Sequence, residues 1–240
     1  FDQILKFDDL LKYPPKCQNN SLAYIPISNG CNNACTYCVV PFTRGPLVCR
    51  NHKKIVENIK RAVKQGAREI WLLGQNVNNY QSPANLKINF AKLLRLVNDI
   101  PGNFKIKFMS PHPAYFTDEL INMMARGQKI AHYLNLPLQS GDDKILKAMN
   151  RPYNASQYKK LVEKIRKKIP DINLSTDIIV GFPGETRSQF KNTVKLFKEL
   201  KFNIAYISKY SPRPGTVAFR LENNNPLTEK KPRWKIIKDL

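Results

Sequence analysis

Apolar runs of strand length alternate with amphipathic stretches of helix length along most of this chain, and that alternation restricts its fold more than any other feature. Residues 22–27, 69–73, 104–109, 133–138, 174–180 and 204–208 read as strands. Between them, Ile55, Val56, Ile59, Ala62 and Val63 mark one helix face, closed by Gly66. A second helix over 90–100 stops at Pro101-Gly102, and Thr117 caps a third that opens on Asp118 and Glu119. A short helix falls near 143–149, Asn154 caps one that ends before Pro170, and Thr186 caps 189–200. About six β-then-α units in series predict right-handed parallel crossovers, hence an α/β fold that is a partial (βα)6 barrel of parallel strands. Ligands of such barrels collect where strands end and loops begin.

The conspicuous loops of the chain all fall at that end. Cys31-Asn-Asn-Ala-Cys35-Thr-Tyr-Cys38 follows the first strand, and Gly74-Gln75-Asn76-Val77-Asn78 the second. Ser110-Pro111-His112-Pro113, Gln139-Ser140-Gly141, Gly181-Phe182-Pro183-Gly184-Glu185 and Ser211-Pro212-Arg213-Pro214-Gly215 follow the other four. Each alone is an ordinary turn; together they make one polar, glycine-rich rim. Three thiolates within eight residues can hold a cubane iron–sulfur cluster by three of its irons, leaving the fourth open to a reacting ligand. The alternative is a zinc knuckle with His52 or Cys49 as fourth ligand, although the spacing lacks the paired hooks of zinc modules.

Forty Lys and Arg against 18 Asp and Glu leave a formal net charge of +22, a field that attracts polyanions such as nucleic acid. A lysine-rich genome gives the same number, since many lysines sit on solvated helix faces such as Lys159-Lys160. Five cysteines, three of them clustered, argue against a disulfide framework and for a reducing, cytoplasmic compartment. No run approaches the ~20 apolar residues of a membrane span. A eukaryotic source would make an organellar location the alternative.

The segments 30–45, 73–78, 136–141, 177–186 and 213–216 resemble, in family order, the methylthiotransferase family of the radical S-adenosylmethionine superfamily. Gln75-Asn76-Val77-Asn78 and Val39-Val-Pro-Phe-Thr-Arg-Gly45 are similar to its tRNA branch, which places a methylthio group at C2 of N6-isopentenyladenosine beside the anticodon. Two other branches modify threonylcarbamoyl-adenosine in tRNA or an aspartate of a ribosomal protein. The different-class alternative is a non-catalytic RNA-binding module with a structural metal site.

The resemblance implies that Cys31, Cys35 and Cys38 ligate a [4Fe–4S] cluster whose open iron is chelated by S-adenosylmethionine. It implies cofactor contacts from Gln75 and Asn76 at the methionine end, and from Gln139, Ser140, Ser175 and Asp177 at hydroxyls or carboxylate. Tyr37 leans on the adenine or, alternatively, packs against Phe42 as a local core. Gly181 lets backbone approach the adenine, unless Gly-Phe-Pro-Gly is a plain strand-to-helix turn. Arg44, Arg50 and Arg213 are the candidate anion ligands for substrate, or else surface arginines. His112, between prolines, reads as a rigid loop residue and Cys49 as a free thiol.

The family reaction also needs a second [4Fe–4S] cluster that supplies sulfur, and Cys17 with Cys49 are too few to hold it. The expected division is therefore 1–20 as a linker from an N-terminal domain outside this chain, 21–218 as the catalytic domain, and 219–240 as linker and helix. That last segment would lead to a C-terminal RNA-binding β-domain. Expected partners are tRNA and a reductase that donates electrons; nothing in the sequence marks an oligomeric state.

Overall fold

The computed structural model describes residues 21–222 and 224–240, so Cys17 and the expected 1–20 linker lie outside the described residues. Two compact units make up the chain. The first comprises residues 21–32, Thr43–Pro111 and Thr117–Ala131. Its strand β1 (Leu22–Pro26) is followed by the short β2 (Ser28–Asn29), the end of helix α1 (Val40–Arg44), whose first three residues belong to the second unit, β3 (Val48–Cys49) and helix α2 (His52–Lys64). Then come β4 (Glu69–Leu73), α3 (Phe90–Asn98), β5 (Lys105–Phe108) and α4 (Asp118–Arg126).

Strands β1, β4 and β5 form a parallel sheet in that order, with Ala23, Ile70 and Ile106 in one row and Ile25, Leu72 and Phe108 in another. All six lie on one face and are buried, while Tyr24, Trp71 and Lys107 of the other face stay partly exposed. Helix α2 contributes Ile55, Ile59 and Ala62 to the core, α3 contributes Leu93, Leu94 and Val97, and Thr117 caps α4 through the Leu120 N–H. The antiparallel β2–β3 pair, Ser28 with Cys49 and Asn29 with Val48, was not expected; it closes the base of the cysteine loop.

The second unit comprises Asn33–Phe42, His112–Phe116 and His132–Leu240. It runs β6 (Tyr133–Asn135), α5 (Asp143–Ala148), α6 (Ala155–Lys168), β7 (Asn173–Val180), α7 (Arg187–Leu200), β8 (Ile204–Lys209) and α8 (Leu227–Lys238). Strands β6, β7 and β8 form a parallel sheet in that order. The sequence places a strand over 133–138, but regular pairing ends at Asn135. Pro137 has no N–H to give the ladder, and the Leu138 N–H goes to the Thr176 hydroxyl instead. Asn154 with Gln157 and Thr186 with Gln189 form full capping boxes on α6 and α7.

Within 219–240, expected to be linker and helix, helix α8 is packed into this unit. Helix α8 buries Ile237 in a cluster with Ile178, Val180, Phe190 and Phe197, and the Trp234 indole donates to the Ile207 carbonyl at 2.9 Å. Among the described residues no helix is long and apolar enough to cross a membrane.

Candidate active site

In the first unit the cysteine loop is entered through a backbone shape that only glycine suits. Gly30 has φ +74°, and a Cβ there would stand 2.1 Å from the Pro46 carbonyl oxygen. Its N–H donates to Gln75 Oε1 at 2.7 Å, and the next N–H, that of Cys31, donates to the Gly45 carbonyl at 3.2 Å. Gln75 is thus the strut of the loop that presents Cys31. Its neighbour Asn76 is almost wholly buried, yet among the described residues neither side-chain amide atom has a hydrogen-bond partner, and Ser28 Oγ is likewise unpaired. Buried polar atoms left this way cost ~1–3 kcal/mol each, so their retention points to a ligand that satisfies them.

The two candidate arginines of this unit differ. Arg44 is exposed at the end of α1. Arg50 is buried: its Nη1 donates to the Pro26 carbonyl at 2.6 Å, its N–H to the Ile27 carbonyl, and its own carbonyl accepts from the Tyr80 hydroxyl. Arg50 therefore clamps the end of β1. Burial pushes the Cys49 thiol up, keeping it protonated, and its sulfur accepts the Gln81 N–H at 3.5 Å. His52 Nδ1 bonds to Ser82 Oγ at 2.7 Å. Among the described residues no three His, Cys, Asp or Glu side chains are grouped so as to hold a single ion. A cubane instead spreads its thiolates over separate irons.

In the second unit the rest of the cysteine loop is pinned at Thr36. Its N–H donates to the Met149 carbonyl at 3.1 Å, its hydroxyl to the Ala148 carbonyl at 2.8 Å, and its carbonyl accepts from Ala218 N–H at 2.8 Å. Arg151 Nη1 donates to Cys35 Sγ at 3.4 Å, and the Val40 N–H to Cys38 Sγ at 3.5 Å. Such donors are placed to hydrogen-bond a metal-bound sulfur. Tyr37 does not pack on Phe42, which is 67% exposed. It sits edge-on to Phe182 at 6.4 Å, against a core of Ile145, Met149, Tyr210 and Ala218.

A cleft of about 310 Å³ opens beside Tyr37, lined also by Gln139, Asp177, Tyr210 and Arg213. Gln139 has φ +67°, a strained conformation outside glycine, and its buried Oε1 has no partner among the described residues. Its backbone is tied to β7 on both sides, through its N–H to the Asp177 carbonyl and its carbonyl to the Ile179 N–H. Burial raises the Asp177 carboxyl above the usual range, opposed by the Asn135 amide donating at 2.8 Å and by the Arg151 charge. Ser175 donates to Asn135 Oδ1 at 3.0 Å, so it acts on the cleft through Asn135.

Ser140 and Gly181 have structural surroundings. Ser140 is fully buried, bonded to Thr193 Oγ1 and accepting the Asp142 N–H. Gly181 has φ +69°, and a Cβ there would lie 2.4 Å from Lys230 Cγ of α8; its N–H donates to Glu185 Oε2. Glu185 in turn pairs with Arg233 of α8 at 2.6 Å, both almost wholly buried. His112 accepts the Ala114 N–H at Nδ1 and is depressed to about 3 by burial and by Arg151, so it is neutral at physiological pH.

Arg151, Asn135 and Glu185 were not singled out from sequence, and only Glu185 lay in a motif that drew attention. The cleft thus offers an aromatic wall, a neutral amide acceptor, a carboxyl and a guanidinium. That set suits a zwitterionic, hydroxyl-bearing organic ligand more than a bare ion.

A model of the radical SAM superfamily matches residues 25–197. Curated relatives named tRNA-2-methylthio-N(6)-dimethylallyladenosine synthase include that of Clostridium botulinum (strain Okra / Type B1), 44% identical over 95% of this chain and 51% of the relative. That of Thermoanaerobacter sp. (strain X514) is 47% identical over 85% and 44%, and that of Neisseria meningitidis serogroup A 41% over 100% and 54%. The chain spans about half the length of the curated relatives it matches. Among solved structures, the radical S-adenosylmethionine methyltransferase TsrM from Kitasatospora setae aligns with TM-score 0.68 at 20% identity, over 82% of this chain and 38% of that one. The coproporphyrinogen III oxidase HemN of Escherichia coli aligns with TM-score 0.64 at 18% identity, over 97% and 54%. These likenesses show the fold, the one that the expected partial (βα)6 barrel of parallel strands named.

Proposed function

The chain belongs to the radical SAM superfamily, and from that premise we propose that it is the catalytic part of a methylthiotransferase acting on N6-isopentenyladenosine in tRNA. The observation that carries the reading is the cleft beside the cysteine loop, which gathers Tyr37, Gln139, Asp177 and Arg213. The names of the relatives support the isopentenyl branch over the threonylcarbamoyl and ribosomal-protein ones.

The donor set fits a thiolate-held cluster, because Cys35 and Cys38 each receive an N–H at sulfur and Cys31 is fixed by its own amide. Cys31, Cys35 and Cys38 would hold the [4Fe–4S] group. When bound, that cluster and S-adenosylmethionine supply one-electron reductive cleavage of a sulfonium C–S bond and, from it, activation of an inert C–H bond. The protein's part is orientation and exclusion of water. Tyr37 walls the cleft, Gln139 offers a fixed acceptor, and Asp177, steadied by Asn135 and Ser175, takes hydroxyl or ammonium protons. Arg213 takes a carboxylate or phosphate, and Asn76 has donor and acceptor for the polar end of the cofactor. Gln75, Arg50, Ser140 and Gly181 support these groups from behind; Arg44, exposed, is left for substrate phosphate.

A sulfur-donating second cluster needs cysteines beyond this chain, since Cys17 and Cys49 are two thiols. Residues 21–218 would be the catalytic domain, joined in the whole protein to an N-terminal cluster domain and a C-terminal RNA-binding domain. Its partners are tRNA and a reductase, and its place is the cytoplasm.

Anaerobic reconstitution is expected to give a brown protein with about four irons per chain, lost in Cys31→Ala, Cys35→Ala or Cys38→Ala. Chemical reduction with S-adenosylmethionine should release 5′-deoxyadenosine. No release by the wild-type chain would sink the radical assignment. Retained 2-methylthio-adenosines in tRNA from cells lacking the gene would sink the substrate.

A further inference from the structure

The segment after the cleft wall carries a feature that cofactor binding leaves unused. Val217, Phe219 and Leu221 are 58%, 49% and 40% exposed, three large apolar residues within five positions. Single exposed apolar residues are ordinary, but three in so short a stretch, the ring of Phe219 among them, mark a surface for interaction. This group is held rigidly. Thr216 donates its N–H and its hydroxyl to the Arg213 carbonyl, and Thr216 Oγ1 caps the one-turn helix Val217–Arg220 by accepting the Phe219 N–H. Ala218, between the exposed pair, is buried and donates its N–H to Thr36 of the cysteine loop. The turn is therefore fixed to the loop between Cys35 and Tyr37, and begins four residues after Arg213 of the cleft.

Its charge is one-sided. From 209 to 221 the chain has Lys209, Arg213 and Arg220 and no acid, with Glu222 the first. Lys209 is engaged over the Trp234 ring, which leaves Arg213 and Arg220 as the guanidinium forks flanking the apolar turn. An exposed aromatic between two arginines matches single-stranded RNA, whose splayed bases stack on rings while phosphates meet guanidinium groups. We propose that Phe219 is the platform on which an unpaired RNA loop lays a base, with Arg213 and Arg220 on the adjoining phosphates. This rests on the tRNA reading above and adds the surface that would read the loop.

The test is fluorescence anisotropy of the full chain with a labelled stem–loop RNA bearing isopentenyladenosine in its loop, against the same sequence as a closed duplex. Wild type is expected to prefer the loop. Phe219→Ala should weaken loop binding about tenfold and leave duplex binding alone, while Phe219→Trp restores it. Arg220→Gln should lower the slope of log affinity against log salt by about 0.7, one single-strand phosphate contact. Lys191→Gln and Lys195→Gln, exposed on α7, should change neither, which separates a site from a diffuse field. If Phe219→Ala, with an unchanged thermal midpoint, keeps the wild-type preference for the loop, the platform is wrong and the tRNA reading stands. If wild type itself shows no preference for the loop, the RNA reading fails with it.

Discussion

Replacing Arg233 with methionine tests how α8 holds the rim loop that closes β7. Arg233 Nη1 donates to Glu185 Oε2 at 2.6 Å and to the Glu185 carbonyl at 3.0 Å, with side-chain exposures of 6% and 1%. Methionine fills similar volume and removes both bonds. The carboxylate keeps only the Gly181 N–H, and the carbonyl loses a donor. Removing one partner of a buried pair costs about 3–5 kcal/mol, because the other charge stays in a dry site.

Glu185 has an escape that Arg233 lacks: it can take a proton. Burial already raises its pKa, with the Gly181 N–H and Arg233 opposing the rise, so losing Arg233 raises it further. A folded pKa above the unfolded value gives stability that is complete below the unfolded pKa and lost as pH rises through the folded one. The penalty in Arg233→Met should therefore be full at pH 8 and shrink towards pH 5. Glu185→Gln/Arg233→Met, with no charge left to bury, should cost only about 1–2 kcal/mol, the lost hydrogen bonds. Urea denaturation followed by Trp fluorescence measures all three, since Trp234 lies beside the substituted residue on α8. A penalty under about 1 kcal/mol at pH 8, or one equal at pH 5 and pH 8, would refute the reasoning.

His112 predicts an acid limit. Its folded pKa of about 3 lies below the unfolded value, so its contribution is present above about pH 6.5 and is lost as pH falls towards 3. Between pH 7 and pH 5 the chain should lose about 2 kcal/mol, at 1.36 kcal/mol per pH unit below 6.5, and His112→Gln should flatten that slope in denaturant titrations. Gln75→Ala removes the strut under Gly30 and should cost about 1 kcal/mol while lowering the iron retained after reconstitution; unchanged retention would show that the strut does not matter to the cluster. Asn76→Leu swaps two unpaired buried atoms for apolar volume, so thermal stability should rise while S-adenosylmethionine binding by calorimetry weakens. Equal affinity in Asn76→Leu would remove Asn76 from the cofactor site.

The parallel strands and most helix caps were legible because apolar runs of strand length recur between amphipathic stretches, and Thr117, Asn154 and Thr186 precede their helices in plain view. Helix α8 was less so. Pro232 lies inside Leu227–Lys238, and a proline beyond the first turn breaks the local helix pattern. The cysteines and the cleft residues Tyr37, Gln139, Asp177 and Arg213 stood out by type and position. What supports them did not. Gln75 meets Gly30 from 45 residues away, and Arg151 meets Cys35 from 116 away. Contacts across such separations follow from where strands end in space, and no local periodicity records them. The glycines were visible but their reason was not, since the side chain that fills the space at Gly181 belongs to α8.

The attachment of Thr36 has a consequence for how freely its surroundings can drift. Two of its three bonds join main chain to main chain, Thr36 to Met149 and Ala218 to Thr36, and the third ends on the Ala148 carbonyl. Every residue type except proline carries the same amide, and every residue carries the same carbonyl. Positions 148 and 149 can therefore exchange side chains of similar size, and 218 can accept any small residue but proline, without releasing the loop. Selection acting on the placement of Cys35 and Cys38 is felt there through backbone position and volume, so the neighbourhood can diverge in sequence while the thiol geometry is inherited unchanged.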